Sequence, residues 1–324
     1  MEPNPGASKT AGASLVVEAS EAGLRLDVFL ARRQVVPSAA AARRALASGI
    51  VRVGGRAAKK GAHLQPGDLV ELSEGSAADV VLEPAPGLEL SVLYQDDAIV
   101  AIDKLAGIAS HPLRAGEGPT VAGALVARFP ECAAASPEAR EGGLGHRLDV
   151  ATSGVLLAAR NREVWYLLRE ALATAFCEKI YLAEVCGNFP SADEVQDEFV
   201  LPGPRPSSFV VTAPIGRQGR RGNKVKLAAG RQPLPARTEV TLLEPRAGGA
   251  LVEARLSRGR AHQVRAHLAY LRIPVKGDTT YGVIDEGSEG GLHLHAWAVS
   301  IVHPTTGKPL RIEAPPPAWA QCRS

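Results

Sequence analysis

Methionine occurs once in 324 residues, aromatic residues make up 4%, and cysteine occurs four times. Each scarcity narrows what the chain can be. With so few rings, the hydrophobic core has to be built mainly from Leu, Val and Ala. The cysteines, Cys132, Cys177, Cys186 and Cys322, form no CxxC pair and have no histidine at zinc-ligand spacing. They read as thiols of a reducing compartment, and neither a disulfide framework nor a structural metal is expected. No run of about 18 apolar residues occurs, which argues against a membrane-spanning helix. The opening MEPNPGASKTAGAS has no apolar stretch of signal-peptide length. A soluble, cytoplasmic protein is expected. A surplus of charge is also lacking: 37 Lys+Arg against 34 Asp+Glu leave +3.

What is present is unevenly distributed. Residues 21–72 hold nine Lys/Arg against four acids, a surplus of +5 that exceeds that of the whole chain. A small basic module of this kind looks toward phosphate. Residues 1–14 are small, polar and Pro/Gly-containing and read as a disordered tail. In LRLDVFLARR (24–33), Leu24, Val28, Phe29 and Ala31 fall at helical spacing, and Ser38 can cap a second helix that Gly49 ends. IVRVGGR (50–56) alternates into a Gly-Gly hairpin turn, and LQPGDLVEL (64–72) is a turn followed by a short strand. Within the Pro/Ala/Gly stretch 73–88, residues 76–88 serve as a linker.

From residue 89 the pattern changes. LSVLYQDDAIVAIDK gives two strands split by a turn at 95–97. TVAGALVARF (120–129) is helical, GVLLAAR (154–160) is a buried strand, and EVWYLLREALATAF (163–176) is an amphipathic helix. KIYLAEVCG (179–187) and TEVTLLEP (238–245) are strands, and residues 250–271 read as strand, turn and helix. Blocks of strands with a few helices argue for a mixed α+β domain over 89–324. GRQGRRGNK (216–224) contains glycines but lacks the strand–turn–helix setting of a phosphate-binding loop.

Three polar clusters need explaining. GHRLDVATSG (145–154) packs His146, Arg147, Asp149, Thr152 and Ser153 between glycines. Lys179 and Tyr181 are two apart, hence on one strand face. RGRAHQVRAH (258–267) places His262 and Arg265 three apart, on one face if both are helical. Ser153 has no G-x-S-x-G elbow. His262 and His267 are five apart, not the four of a metalloprotease helix. A two-carboxylate glycosidase would need a second acid. A single carboxylate amid arginines, with a tyrosine in reach, remains. Such an Asp can attack an electrophilic sugar carbon or remove a proton; a turn tied by an ion pair is the bland alternative.

Two resemblances follow from these residues. Residues 15–75, with RLD–FLA, a capped basic helix, GIVRVGGR and PGDLVEL, resemble the S4-like RNA-binding domain. Ala39 and Gly54 depart from its usual arginine and asparagine. The resemblance implies phosphate contacts from Arg43, Arg44, Arg52, Arg56, Lys59 and Lys60. The remainder resembles the RluA-type pseudouridine synthases through LYQDDAIVAIDKLAGIASHP (93–112), GHRLDVATSGVLLAAR (145–160), KIYLAEVCG (179–187), RGRAHQVRAHLAYLRIPVKGDTTYG (258–282) and LHAWAVSIVHPTTGKPLRIEAPPP (294–317). Leu105 stands where that family usually has proline.

This resemblance implies a pseudouridine synthase fold, α+β with a mixed and mainly antiparallel sheet. The implied activity is isomerisation of specific uridines in structured RNA after base flipping. Asp149 is implied as the catalytic carboxylate, Tyr181 as a stacking residue, and Arg265 as the partner that keeps Asp149 ionised. His146, Arg147, Thr152, Lys179 and His262 are implied as support. Large-subunit (23S) ribosomal RNA is the favoured substrate and transfer RNA the other. An isomerisation requires neither cofactor nor metal, and a monomer is expected. Two readings of other classes stand beside it: an RNA-binding protein with a retired site, and an enzyme that cleaves glycosidic or phosphodiester bonds.

Overall fold

In the computed structural model the described residues are 14–36, 42, 45–46, 51–58, 61–72, 82–113, 117–195, 197–217, 225–227, 231–282 and 291–321. The chain divides into two compact units, one formed by residues 1–81 with 113–117 and the other by 82–112 with 118–324.

The first unit contains β1 (Ser14–Val16), α1 (Leu26–Arg32), β2 (Val51–Val53), β3 (Arg56–Ala57) and β4 (Leu69–Leu72). Its four strands form an antiparallel sheet in the order β1-β4-β2-β3. Gly54 and Gly55, both at positive φ, make the turn between β2 and β3, the conformation a two-residue hairpin asks for. Helix α1 begins at Leu26 behind the extended Arg25, so its buried stripe is Leu26, Phe29 and Leu30. Val28, placed at core spacing by the sequence pattern, is 42% exposed, because the helix starts two residues later than that pattern assumed. The stripe packs on Val51, Leu64, Val70 and Leu72. Arg52 and Arg56 are exposed. Arg43, Arg44, Lys59, Lys60 and the Ser38 cap lie outside the described residues.

The second unit contains β5 (Ser91–Gln95), β6 (Ile99–Lys104), α2 (Val121–Arg128), β7 (Ser153–Ala159), α3 (Arg162–Ala171), β8 (Glu178–Cys186), β9 (Val200–Pro202) and β10 (Ser208–Val211). It continues with β11 (Ile215–Arg217), β12 (Val225–Leu227), β13 (Arg231–Leu234), β14 (Thr238–Arg246), β15 (Gly249–Leu256), α4 (Gln263–Tyr270), β16 (Leu294–Val302) and β17 (Pro309–Glu313). Ten strands form one sheet in the order β5-β6-β7-β16-β8-β15-β14-β10-β9, with β17 also on β16. A small sheet, β12-β11-β13, lies beside it in the chain order. Pairing in the large sheet is antiparallel except between β7 and β16. The fold is therefore α+β with a mixed, mainly antiparallel sheet.

The continuous apolar runs of β6 and β7 follow from burial on both faces. Ile99, Ala101, Val155 and Leu157 join Val164, Leu168 and Leu172 from α3 and its end. Val100, Ile102, Leu156 and Ala158 join Val121, Ala122 and Leu125 of α2. Both helices start at side-chain caps: Thr120 accepts from the amide of Gly123, and Asn161 from that of Val164. Helix α3 ends at Ala171, short of the expected 176. The hydroxyl of Thr174 donates to the Ala171 carbonyl (2.9 Å), a local side-chain bond that competes with further helix. Among the described residues no helix is long and apolar enough to cross a membrane. Nor do they contain a group of three His, Cys, Asp or Glu able to hold a metal ion.

The parallel join sets where the chemistry can sit. His295 pairs with Ser153 and Ala296 with Gly154, which brings the loop before β7 next to the centre of the sheet. Gly154 has φ +110, and a Cβ there would collide with the backbone of Ala296. Gly154→Ala is expected to lower stability by about 2 kcal/mol or more, since it adds backbone strain to a steric clash. Urea unfolding of the purified protein measures it.

Candidate active site

Two backbone loops meet at the carboxylate named by the sequence. The loop 145–152 leads into β7, and the segment after β6 runs beside it. Their junction is held by Lys104, the last residue of β6, only 1% exposed. Its Nζ donates to the carbonyls of Leu105 (2.9 Å), Val150 (2.9 Å) and Thr152 (2.7 Å). Burial pushes this ammonium down to about 8, so it still carries its proton at neutral pH. Three carbonyl acceptors match its three donors. The Gly107 amide donates to the Val150 carbonyl (2.8 Å). The Ser110 hydroxyl donates to the Leu148 carbonyl (2.8 Å) and accepts from the Leu148 amide (3.1 Å). Finally the Thr152 amide donates to the Asp149 carbonyl (3.0 Å). Asp149 thus sits on a turn with few backbone groups left loose.

His146 braces the other end of this loop. Its Nε2 accepts from the Leu157 amide (3.1 Å), standing in for a backbone carbonyl next to β7. Burial pushes the imidazole down to about 3, which keeps it neutral and able to accept. Thr152 is buried and contributes through its main chain. Arg147 is exposed and forms no hydrogen bond or ion pair among the described residues.

The counter-ion comes from α4. Arg265 Nη1 donates to Asp149 Oδ2 (3.0 Å), while Nε and Nη2 grip Asp278 bidentately (2.8 and 2.7 Å). Asp278 has a fully buried side chain and also accepts from the amides of Thr280 (2.9 Å) and Tyr281 (3.1 Å). Burial by itself would raise its pKa, but the bonds and charge of Arg265 and these two amides hold it below the usual carboxylate range. Burial likewise opposes charge on Arg265, yet Asp278 and then Asp149 keep it above its ordinary value. Such an arrangement satisfies a buried charge rather than stranding it.

The motif RGRAHQVRAH divides by face. Gln263 Nε2 donates to the Arg237 carbonyl (3.0 Å) and the Thr238 hydroxyl (3.0 Å). His267 bridges Thr238 Oγ1 (2.8 Å) and the Ala213 carbonyl (2.9 Å). These two, four apart, fasten α4 to the sheet. His262 and Arg265 point the other way. His262 is not inside the helix, as the sequence allowed, but caps it at φ +55. Its Nδ1 lies 3.0 Å from the Tyr281 hydroxyl, which accepts from the Val225 amide (2.8 Å). The Nε2 of His262 lies 3.7 Å from Asp149 Oδ2.

Tyr181 and Lys179 enter from β8, flanked by β15 and β16. Burial, and next the charge of Asp149, push the Tyr181 hydroxyl well up, so it is a neutral phenol. Together these residues line a cleft of about 390 Å³. The structure brings together Asp149, Tyr181, Arg265, His146, Arg147, Thr152, Lys179 and His262. Arg52 and Arg56 belong to the other unit. Sequence reasoning missed Lys104, Ser110, Asp278 and Tyr281 as working parts. Asp278 had a local signal, the GDTTY turn, but its bond to Arg265 had none.

The family model for RNA pseudouridylate synthase matches residues 98–270, and that for the S4 domain matches residues 24–70. A Mycobacterium bovis protein named as an uncharacterised RNA pseudouridine synthase is 34% identical over 95% of this chain and 96% of its own length. A Xanthomonas campestris protein named ribosomal large subunit pseudouridine synthase D is 33% identical over 93% of this chain and 88% of its own. The solved structure of human RNA pseudouridylate synthase domain containing 1 superposes with TM-score 0.55 at 24% identity, over 72% of this chain and 86% of that one; it shares the fold.

Lys104→Met keeps the length of the side chain and leaves three carbonyls short of a donor. A loss of about 2–3 kcal/mol is expected, together with a fall in turnover of about tenfold or more as the Asp149 turn loosens. Thermal unfolding and single-turnover kinetics on one preparation read both.

Proposed function

The chain belongs to the RluA-type RNA pseudouridine synthases, and we propose that its substrate is a uridine of large-subunit ribosomal RNA, with Asp149 as the catalytic carboxylate. That it is an isomerase acting on RNA follows from the family. The observation that carries the assignment of Asp149 is its bond to an arginine already locked by a second acid. Arg265 spends two donor nitrogens on Asp278 and only one on Asp149. It can release Asp149 to a substrate without moving.

In the proposed reaction the target base leaves the RNA stack and enters the cleft, because a stacked base cannot be detached and turned. Tyr181, a neutral phenol on the cleft wall, packs against the ring. Two first steps are open to Asp149: attack on ribose carbon 1′, or removal of the 2′ proton. The bond from carbon 1′ to nitrogen 1 then breaks, the ring turns, and its carbon 5 joins the sugar. The carbon-5 proton is lost to solvent and nitrogen 1 gains one. Atoms and electrons balance, so the step consumes no cofactor. Arg147, exposed at the loop, is a phosphate or base contact on the RNA.

Ribosomal RNA is favoured because the Xanthomonas campestris relative is named for the ribosomal large subunit, and because an S4 domain with exposed Arg52 and Arg56 precedes the catalytic unit. Residues 15–75 are the recruiting module in this reading, and the protein works as a cytoplasmic monomer.

Asp149→Asn is the direct test. With RNA labelled by tritium at uridine carbon 5, the variant is expected to release tritium at least about 1,000-fold more slowly while binding the RNA within threefold of wild type. Release at the wild-type rate would remove Asp149 from the chemistry. Mapping of pseudouridines in RNA from cells with and without the gene separates ribosomal from transfer RNA.

A further inference from the structure

The second unit contains two lysines at the site, Lys104 buried and Lys179 half-buried, and they are unlike. Lys104 uses all three donors on main-chain carbonyls. Lys179 makes no hydrogen bond and no ion pair among the described residues, although it lines the cleft. It occupies the middle of the sheet, opposite Leu256 of β15 and Val299 of β16. Being two residues before Tyr181, it presents its side chain on the same face. Burial, with Arg169 nearby, holds the ammonium below its usual pKa, and the Cys177 thiol works the other way. A half-buried cation without a protein acceptor keeps its donors for whatever enters the cleft.

None of its neighbours forms an ion pair with it among the described residues. His146 is a neutral acceptor already taken by the Leu157 amide. Arg169 donates to the Gly145 carbonyl (2.9 Å) and lies over the Trp165 ring. Glu141 also lines the cleft, with its pKa raised by burial, and makes no ion pair with Lys179 among the described residues. Asp149 is engaged by Arg265. Arg260, also on the cleft, is another cation. The Lys179 ammonium lines the cleft with no protein partner among the described residues.

We propose that Lys179 is a catalytic residue that donates a hydrogen bond to the uracil ring as it is detached and carries the negative charge the ring then acquires. The proposal rests on the pseudouridine synthase reading above. When the bond from carbon 1′ to nitrogen 1 breaks, its electron pair goes to nitrogen 1 and spreads over the adjacent carbonyl. A fixed ammonium stabilises that anion more than the neutral base, which is the condition for lowering the barrier. No proton leaves Lys179. The charge returns to the new bond when carbon 5 attacks the sugar. The same attraction retains the free ring against escape to water during its turn.

The test compares Lys179→Met and Lys179→Arg with wild type on unmodified large-subunit ribosomal RNA made by transcription, containing either uridine or 5-fluorouridine. Fluorine makes the ring a better leaving group, so its departure needs less help. Expected for Lys179→Met is at least a tenfold slower single-turnover loss of uridine with KM changed less than threefold. Loss of 5-fluorouridine should slow threefold or less. Lys179→Arg, which keeps the charge, should recover part of the rate. Thermal stability of Lys179→Met should equal or exceed that of wild type, since a half-buried charge without a protein partner is removed. Equal slowing of both substrates, a raised KM with unchanged turnover (a phosphate contact), or a lowered melting temperature that accounts for the lost activity each overturns the proposal. If wild type converts neither RNA while converting transfer RNA, the ribosomal reading fails and the same comparison on transfer RNA decides Lys179. Conversion of no RNA by wild type overturns both readings.

Discussion

A guanidinium offers its donors in one rigid plane, and at this site that plane is divided unequally between two carboxylates. Arg265 gives one edge, Nε and Nη2, to Asp278, and the remaining Nη1 to Asp149. Asp278 is in turn fixed by two amides of its own turn. The unequal division has a physical consequence. The Arg265–Asp278 pair is a bidentate ion pair inside the protein, so its position depends little on what Asp149 is doing. Asp149 keeps an electrostatic partner, and its side chain is 24% exposed whereas that of Asp278 is fully buried. A lysine in place of Arg265 could not make the planar, two-sided contact.

The other constraint is on the main chain. Asp149 lies in a loop rather than in an element, where side chains are ordinarily less well fixed. Here the loop's carbonyls and the Leu148 amide are claimed by Lys104, Gly107 and Ser110, and the loop's own His146 accepts from the Leu157 amide of β7. These groups come from the end of β6, the loop after it, and the entry to β7, so the sheet's own rigidity is passed to the carboxylate. Burying the Lys104 ammonium is costly, and three short bonds to carbonyls offset it. Lys104 and Lys179 differ in use: the first spends all three donors on main-chain carbonyls, and the second makes no hydrogen bond among the described residues.

Much of this was legible in the chain. Strands β5 to β8 and β14 to β16 follow from alternating or continuous apolar runs, and the cleft gathers Asp149, Tyr181, Lys179, His262 and Arg265 from three separate motifs. The errors are local and have local causes. Val28 faces out because the helix start, not the apolar count, sets the phase of α1. Helix α3 stops at Ala171 because Thr174 takes the carbonyl there. His262 is a cap in the left-handed region rather than part of the helix, which aims its ring at Tyr281 and Asp149 without the three-residue spacing the pattern relied on.

What the sequence determined by itself is the order and type of the elements, the basic character of the N-terminal module, and the identity of the one carboxylate set among arginines. Those depend on short-range preferences: periodicity, capping, turn chemistry and motif spacing. What only the tertiary structure decided is which groups hold that carboxylate. Lys104 meets Thr152 across 48 positions and Arg265 meets Asp149 across 116. That Lys179 makes no hydrogen bond among the described residues is visible only once the side chains around it are placed. Contacts of that range leave no periodic mark in a sequence, because they are created by the pairing of β7 with β16 and by the packing of α4 on the sheet.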